Sequence, residues 1–252
     1  MRHIVVCNDK GGVGKTLTAH LLALILLDRN ETHSLIECEK TPRLQRIFGA
    51  EVDYRAVDNE RISEIYENPD RLFTYWDNLA GTLNATPQRR VVDLAAGLTR
   101  PFCRWAHAGG AGLLNDGAGL TFAVIATAER EAWHSAAENL QLLRALFPRA
   151  RFVAVYNERD GAMPSGQLED VRGVTLKAVR VPAWSYLQNA GRFDLVAQTA
   201  ADEVAEASAL PLGTAARSIF AFTDWLLEST GALEALLDER SERRAYRPAV
   251  PA

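Results

Sequence analysis

Asp9-Lys10-Gly11-Gly12-Val13-Gly14-Lys15-Thr16 is the segment whose residue types and spacing can do chemistry. Its glycines let successive backbone N–H groups turn inward as a nest for an anion. A helix that begins near Lys15 aims its positive end at the same point. Lys15 adds a mobile charge for the β and γ oxygens of a nucleotide, and Thr16 offers a hydroxyl to Mg2+. Gly11, Gly12, Val13, Gly14, Lys15, Thr16 and Leu17 are therefore the expected nucleotide-binding residues. Asp9 stands where the usual pattern has its first glycine, and Lys10 is a cation that a generic phosphate loop does not require. The chain has only four lysines, Lys10, Lys15, Lys40 and Lys177, and two of them fall in this loop. Where arginine serves almost everywhere else, a retained lysine points to a site that needs a compact ammonium. The chemistry indicated is phosphoryl transfer, which needs positioning and charge more than covalent catalysis.

Such a loop has to be hung between a strand and a helix. Ile4 to Cys7 is a β-rich apolar run ahead of it, and Lys15 to about Asp28 follows as a helix apolar nearly all round. That helix should be buried against a sheet face. Further strands of the fully buried type are expected at Ser34–Glu37, Arg90–Asp93, Thr121–Ala126, Phe152–Tyr156 and Leu176–Val181. Helices are expected over Glu131–Phe147 and, as one or two segments, from Gly213 to about Glu239. Alternating strands and helices imply an α/β fold with a single, doubly wound, mostly parallel sheet covered by helices on both faces, of the P-loop NTPase type. Val91-Val92-Asp93 ends an apolar strand with a carboxylate, the placement that lets Asp93 hold the water shell of Mg2+. Residues 49–88 are the least regular part and are expected as a helical excursion at the sheet's edge. The aromatics there, Tyr54, Tyr66, Phe73, Tyr75 and Trp76, are either core or a partner surface. One domain is expected over residues 1–240, with a charged, Pro-containing tail at 241–252.

Lys10-Gly11-Gly12-Val13-Gly14-Lys15-Thr16 resembles the deviant Walker A motif of the ParA/MinD group of ATPases. The resemblance implies ATP and Mg2+ as cofactors and a homodimer closed around sandwiched ATP, in which Lys10 reaches the phosphates bound by the partner subunit. Leu35-Ile36-Glu37-Cys38-Glu39 is similar to the group's second-strand signature with glutamate at both acid positions. By resemblance, Glu39 would help position the attacking water and Glu37 is a further metal candidate; simple solvated acids are the alternative. Lys10, Lys15, Glu39 and Asp93 form the implied catalytic set, with Thr16 and Asp93 on Mg2+, the latter through water. Leu94-Ala95-Ala96-Gly97-Leu98 matches the group's switch in spacing and in Gly97 but has alanine for both prolines, which implies a more flexible switch. Asn157 is placed to read the adenine edge, and Pro182 to wall the purine. Asn157-Glu158-Arg159-Asp160 also resembles the guanine reader of GTPases, so ATP is favoured by the loop and not by this segment. The likeness spans residue 1 to about residue 225.

Composition bounds the reading. In 252 residues, 48% are hydrophobic and 24% charged, as in ordinary globular chains, and the formal net charge of −4 provides no global field for nucleic acid or anionic membrane. Any such contact must come from a local patch. Cys7, Cys38 and Cys103 lack paired spacing and read as buried apolar residues in a cytoplasmic protein, not as a disulfide framework, a zinc site or the ligands of an iron–sulfur cluster. The five histidines are scattered and read as structural or surface. Three functions follow from the resemblance. The first is a partition or positioning ATPase whose ATP dimer binds DNA non-specifically, is nucleoid-associated and is released by a stimulating protein adaptor. Arg240, Arg243, Arg244 and Arg247 offer the basic patch, with a solvated helix end as the alternative. The second, a membrane-cycling ATPase, fits poorly, because Leu233, Leu236 and Leu237 are followed by acids and prolines; no stable membrane association is expected. The third is a conjugation- or secretion-linked accessory switch that binds a protein partner, with weak or no hydrolysis.

Overall fold

A computed structural model of the chain describes residues 2–57, 69–85, 88–163, 168 and 171–237. Its strands are β1 (His3–Cys7), β2 (His33–Glu39), β3 (Val52–Ala56), β4 (Arg89–Leu94), β5 (Leu120–Ala126), β6 (Arg151–Asn157) and β7 (Gly173–Leu176). They form one sheet in the order β3-β2-β4-β1-β5-β6-β7, with every neighbouring pair parallel. Among the described residues the α-helices of four residues or more are α1 (Lys15–Asp28), α2 (Leu44–Phe48), α3 (Pro69–Ala85), α4 (Thr99–Trp105), α5 (Arg130–Leu146), α6 (Trp184–Leu187), α7 (Phe193–Val196), α8 (Ala201–Ser208) and α9 (Leu212–Leu237). The architecture is thus the α/β class that the alternation of apolar segments implies.

Successive strand residues point to opposite faces, and both faces are covered. Ile4, Val6, Leu35, Val91, Ile125 and Val155 join α1 and α9 in one core. Val5, Cys7, Ile36, Val92, Phe122 and Val124 join α3, α4 and α5 in the other. Central parallel strands are apolar without alternation for this reason. The three cysteines are buried in the second core or its edge, as expected of small apolar residues. An aromatic cluster fixes that face: Phe102 stacks on Trp105 and Phe147, meets Trp76 edge-on and touches Phe122.

Two expectations about the sheet need correction. Residues 49–88 are not a purely helical excursion, since Val52–Ala56 adds a parallel edge strand beside β2 before α3 begins. A half-exposed edge strand with Asp53 and Arg55 in it carries little apolar signal. Of the aromatics there, Trp76 is fully buried and Phe73 and Tyr75 pack on the same core, whereas Tyr54 is half-exposed and joins neither core; Tyr66 lies outside the described residues. The last strand is also earlier than the expected Leu176–Val181, running from Gly173 to Leu176. Gly173 allows β7 to close on β6, because a Cβ there would overlap the Tyr156 ring. Val179 and Val181 belong to the loop beyond. The Arg240–Arg247 patch and the 241–252 tail lie outside the described residues.

Phe102→Ala should lower unfolding free energy by about 3–5 kcal/mol in urea titration, with the loss of a buried ring and the cavity left behind as its cause.

Candidate functional site

The loop after β1 leaves the sheet between its neighbours, because Val6 is in register with Asp93 of β4 and Cys7 with Val124 of β5. Asn8 fixes its first step. It is fully buried, its amide donates to the carbonyls of Ile125 (2.6 Å) and Ala132 (3.2 Å), and its Oδ1 accepts from Lys10 N (2.8 Å) and Ser135 Oγ (2.7 Å). Gly12 and Gly14 then take φ of +74° and +103°, which side chains rarely adopt, and a Cβ on Gly14 would collide with the Asn157 amide. Gly14 is the N-cap of α1 and brings no side-chain cap, so the first amides of that helix are left for an external acceptor.

Lys15, Thr16 and Asp93 converge under this nest. Lys15 is buried and donates from Nζ to the Lys10 carbonyl at 2.9 Å; burial lowers its pKa, opposed by Asp93 and Glu39. Thr16 Oγ1 donates to Asp93 Oδ2 at 2.7 Å. Asp93 Oδ1 is buried with no hydrogen-bond partner. An orphaned carboxylate oxygen beside a threonine hydroxyl is a donor set suited to a hydrated Mg2+, so the residues present fit that ion. Burial pushes the Asp93 carboxyl up from 3.8 to about 7, against the pull of Thr16 and Lys15 and with help from Glu39 and Glu37.

The two glutamates of β2 differ. Glu37 is fully buried and engages both oxygens on α2, accepting from the amides of Arg43 (2.6 Å), Leu44 (2.9 Å) and Gln45 (3.0 Å). It caps a short helix, and that is the role the geometry gives it in place of the expected metal contact. Glu39 is half-buried, accepts from Lys40 N at 3.0 Å and acts electrostatically on both Lys15 and Asp93.

Lys10 points away from the nest. Its ammonium pairs with Glu131 (2.5 Å) and Glu129 (2.9 Å) at the start of α5. Sequence reasoning missed both acids. The signal was two carboxylates straddling a helix start after β5, but only the parallel order of β1 and β5 brings them to Lys10. Arg159 was also missed: its guanidinium donates to the Gly12 carbonyl and pairs with Asp160.

A cavity of about 880 Å3 opens on the loop, with Gly12, Gly14, Thr16, Leu17, Asn157, residues 177–180 and Trp184 in its lining. Arg43, Arg46, Arg159, Lys177 and Arg180 line it, and no carboxylate does among the described residues. His20 lies in its wall, stacked on Phe193 at 4.0 Å; burial pushes it down to about 4, so it is neutral and accepts from Phe193 N. Asn157 reaches the cavity, but its amide donates to the Val13 carbonyl at 2.9 Å and is tied to the loop. Pro182 is exposed and outside the lining, so the apolar wall comes from Val179 and Trp184. Asp160, the acid of the guanine-reader pattern, is likewise outside the lining.

No family model and no curated protein matches this chain. Solved structures do match it across most of its length. A McdA variant of Cyanothece in complex with ATP is 14% identical, has a TM-score of 0.54 and is covered over 97% of its chain by 95% of this one. The MinD cell division protein of Aquifex aeolicus is 14% identical with a TM-score of 0.52, covering 86% of this chain and 96% of that one. The MinC:MinD cell division protein complex of the same organism is 14% identical with a TM-score of 0.50, covering 100% and 99%. The fold of these MinD and McdA structures is the fold of this chain.

Because the folded Asp93 pKa lies above its unfolded value, the nucleotide-free protein gains stability below about pH 4 and loses it as pH rises through about 7. Between pH 5 and 8 its melting temperature should fall by about 3 °C or more beyond any fall in Asp93→Asn, read by thermal melts of both proteins.

Proposed function

We propose that this chain is an ATP-driven nucleotide switch. It binds ATP with Mg2+, pairs with a second copy around the nucleotide, hydrolyses ATP slowly, and in its ATP state engages non-specific DNA to partition or position a cargo. The observation that carries this reading is the convergence of the uncapped α1 amides, the buried Lys15 and the Thr16–Asp93 pair with its orphan oxygen, where Gly12, Gly14 and Thr16 line a cavity whose charged lining, among the described residues, is all cationic.

The chain's residues divide the work. The Gly12–Thr16 amides and Lys15 hold the β and γ oxygens, so Lys15 must leave the Lys10 carbonyl it occupies without nucleotide. Thr16 and Asp93 would hold the cation and its water; when bound, Mg2+ would neutralise charge that develops on the phosphates. Glu39 stands at the end of β2 to orient the attacking water. That water adds to the γ-phosphorus as the bond to the β-bridging oxygen breaks, giving ADP and phosphate. Lys10 must exchange Glu129 and Glu131 for phosphate oxygens bound by the second copy. Both ion pairs are exposed enough that the exchange is cheap. The adenine belongs against Val179 and Trp184, with Asn157 holding the loop in shape.

ATP in the McdA complex and MinC in the MinD complex support a nucleotide and a protein partner as the two inputs. The proposed unit is a cytoplasmic ATPase domain over residues 1–240 followed by a tail at 241–252, with the DNA contact carried by Arg240 at the end of the domain and by Arg243, Arg244 and Arg247 in the tail. Among the described residues no helix is long and apolar enough to cross a membrane. A second reading, an accessory switch with weak or no hydrolysis that binds a protein partner, is favoured by one observation: Glu37 is committed to capping α2 and Glu39 to the Lys40 amide.

With a fluorescent ATP analogue, Lys15→Ala should lose binding at least about 100-fold while Lys10→Ala stays within about threefold of wild type. With duplex DNA at one fixed moderate salt, the wild-type protein should be retained with ATP and released with ADP, and Lys10→Ala should be released in both. DNA retention that ignores the nucleotide contradicts the switch, and no retention in either state moves the function to the accessory reading.

A further inference from the structure

A carboxylate at position 9 replaces the first glycine of a phosphate loop, next to the place where a polyanion is to sit. Charge alone argues against it, so its contacts carry the explanation. Asp9 Oδ1 accepts from Thr99 N at 2.9 Å, and the Asp9 carbonyl accepts from Gly97 N at 3.1 Å. Arg100 Nε lies 3.7 Å from Oδ2, and Arg100 is itself held by Glu138 of α5 at 2.6 Å. The Asp9 side chain is only 15% exposed, and Oδ2 is buried without a hydrogen-bond partner.

These contacts all fall on the segment that follows Asp93. Thr99 opens α4, and the N-cap of that helix, Leu98, gives it no side-chain cap. Asp9 therefore satisfies an orphan amide of α4 from across the site. At its other end the segment is hung from β2, where Ala95 N donates to the Cys38 carbonyl at 2.9 Å. A proline at 95 could not make that bond. With alanine at 95 and 96 and Gly97 at φ +79°, the segment's own backbone supplies little stiffness.

We infer that Asp9 is a positioning residue that clamps the 94–99 segment to the phosphate loop, supplying the rigidity that prolines would give, so that Asp93 and the loop move as one unit when nucleotide binds. This rests on the nucleotide reading above for its effect on turnover, but the clamp itself is readable without nucleotide. It also accounts for a carboxylate in the loop: the side chain faces the segment and not the nest, and Arg100 balances its charge.

Asp9→Gly restores the usual residue and removes the Thr99 bond and the Arg100 contact while leaving the backbone bond from Gly97 in place. Amide exchange at Thr99 in the nucleotide-free protein should then speed up about five- to tenfold, the worth of one hydrogen bond. ATP turnover should drop about tenfold or more while ADP affinity stays within about threefold, since misplacement costs rate more than binding. Asp9→Asn keeps the Oδ1 acceptor and should lie within about threefold of wild type in exchange and in turnover. Unchanged Thr99 exchange in Asp9→Gly overturns the clamp. So does an Asp9→Asn protein as impaired as Asp9→Gly, which would assign the effect to charge. Should Asp9→Gly fail to fold, the Asp9→Asn comparison still decides. A wild-type protein that neither binds nor hydrolyses ATP defeats the nucleotide reading alone and leaves the exchange result to stand or fall by itself.

Discussion

The site depends on one constraint: β1 runs parallel between β4 and β5, with Val6 beside Asp93 and Cys7 beside Val124. Three chain segments must therefore leave the sheet together at its carboxyl edge, where α/β folds place their ligands. The central one is the glycine loop, and each flank holds it by a different residue. Asn8 and Lys10 bind it to the β5–α5 side, through Ile125, Ala132, Glu129 and Glu131. Asp9 binds it to the β4–α4 side through Gly97 and Thr99. From β6, Asn157 holds Val13 and Arg159 holds Gly12. Alternate residues of a short loop thus answer to different neighbours, and a change in any neighbour is felt at the nest.

Charge is arranged to be completed by a ligand. Lys15 is held below its usual pKa and Asp93 above, both by burial, so each is a charge the protein alone solvates poorly. The proposed phosphate chain and cation would relieve both. Cations from α2 and its N-cap, from the turn after β6 and from the loop after β7 line the cavity, and among the described residues no carboxylate does, although Arg159 pairs with Asp160 and Lys177 with Glu158 outside the lining. Such a cavity suits a polyanion and opposes an uncharged ligand of the same size. Lys10 is the exception, already paired outside the nest, which leaves it available for a role beyond its own loop.

How much of this was legible in the sequence follows from what each feature depends on. The loop, α1 and the central strands are local patterns, a run of glycines before an unbroken apolar helix and apolar runs without alternation, and they stand where the residues indicate. Asp93 was legible because a carboxylate ending an apolar strand is unusual in itself. The edges were not. β3 is polar and half-exposed, and β7 is set by Gly173 fitting under Tyr156, a contact no local pattern contains. Glu37 read as a metal candidate by resemblance to the second-strand signature, but the three amides that engage it come from residues 43–45, at the start of α2. Pro182 read as a purine wall only through the resemblance; it lies exposed and outside the cavity lining, whose apolar side chains there are Val179 and Trp184. Glu129, Glu131 and the partners of Asp9 are products of strand order and could be paired only once it was known.

The central claim is that ATP, and not ADP, converts this chain from a self-contained subunit, with Lys10 held on its own acids, into a pair. Sedimentation velocity of the wild-type protein with Mg2+ and either ATP or ADP tests it most directly. The account predicts a dimer with ATP and a monomer with ADP, while the same sedimentation coefficient in both, monomer or dimer, would contradict it.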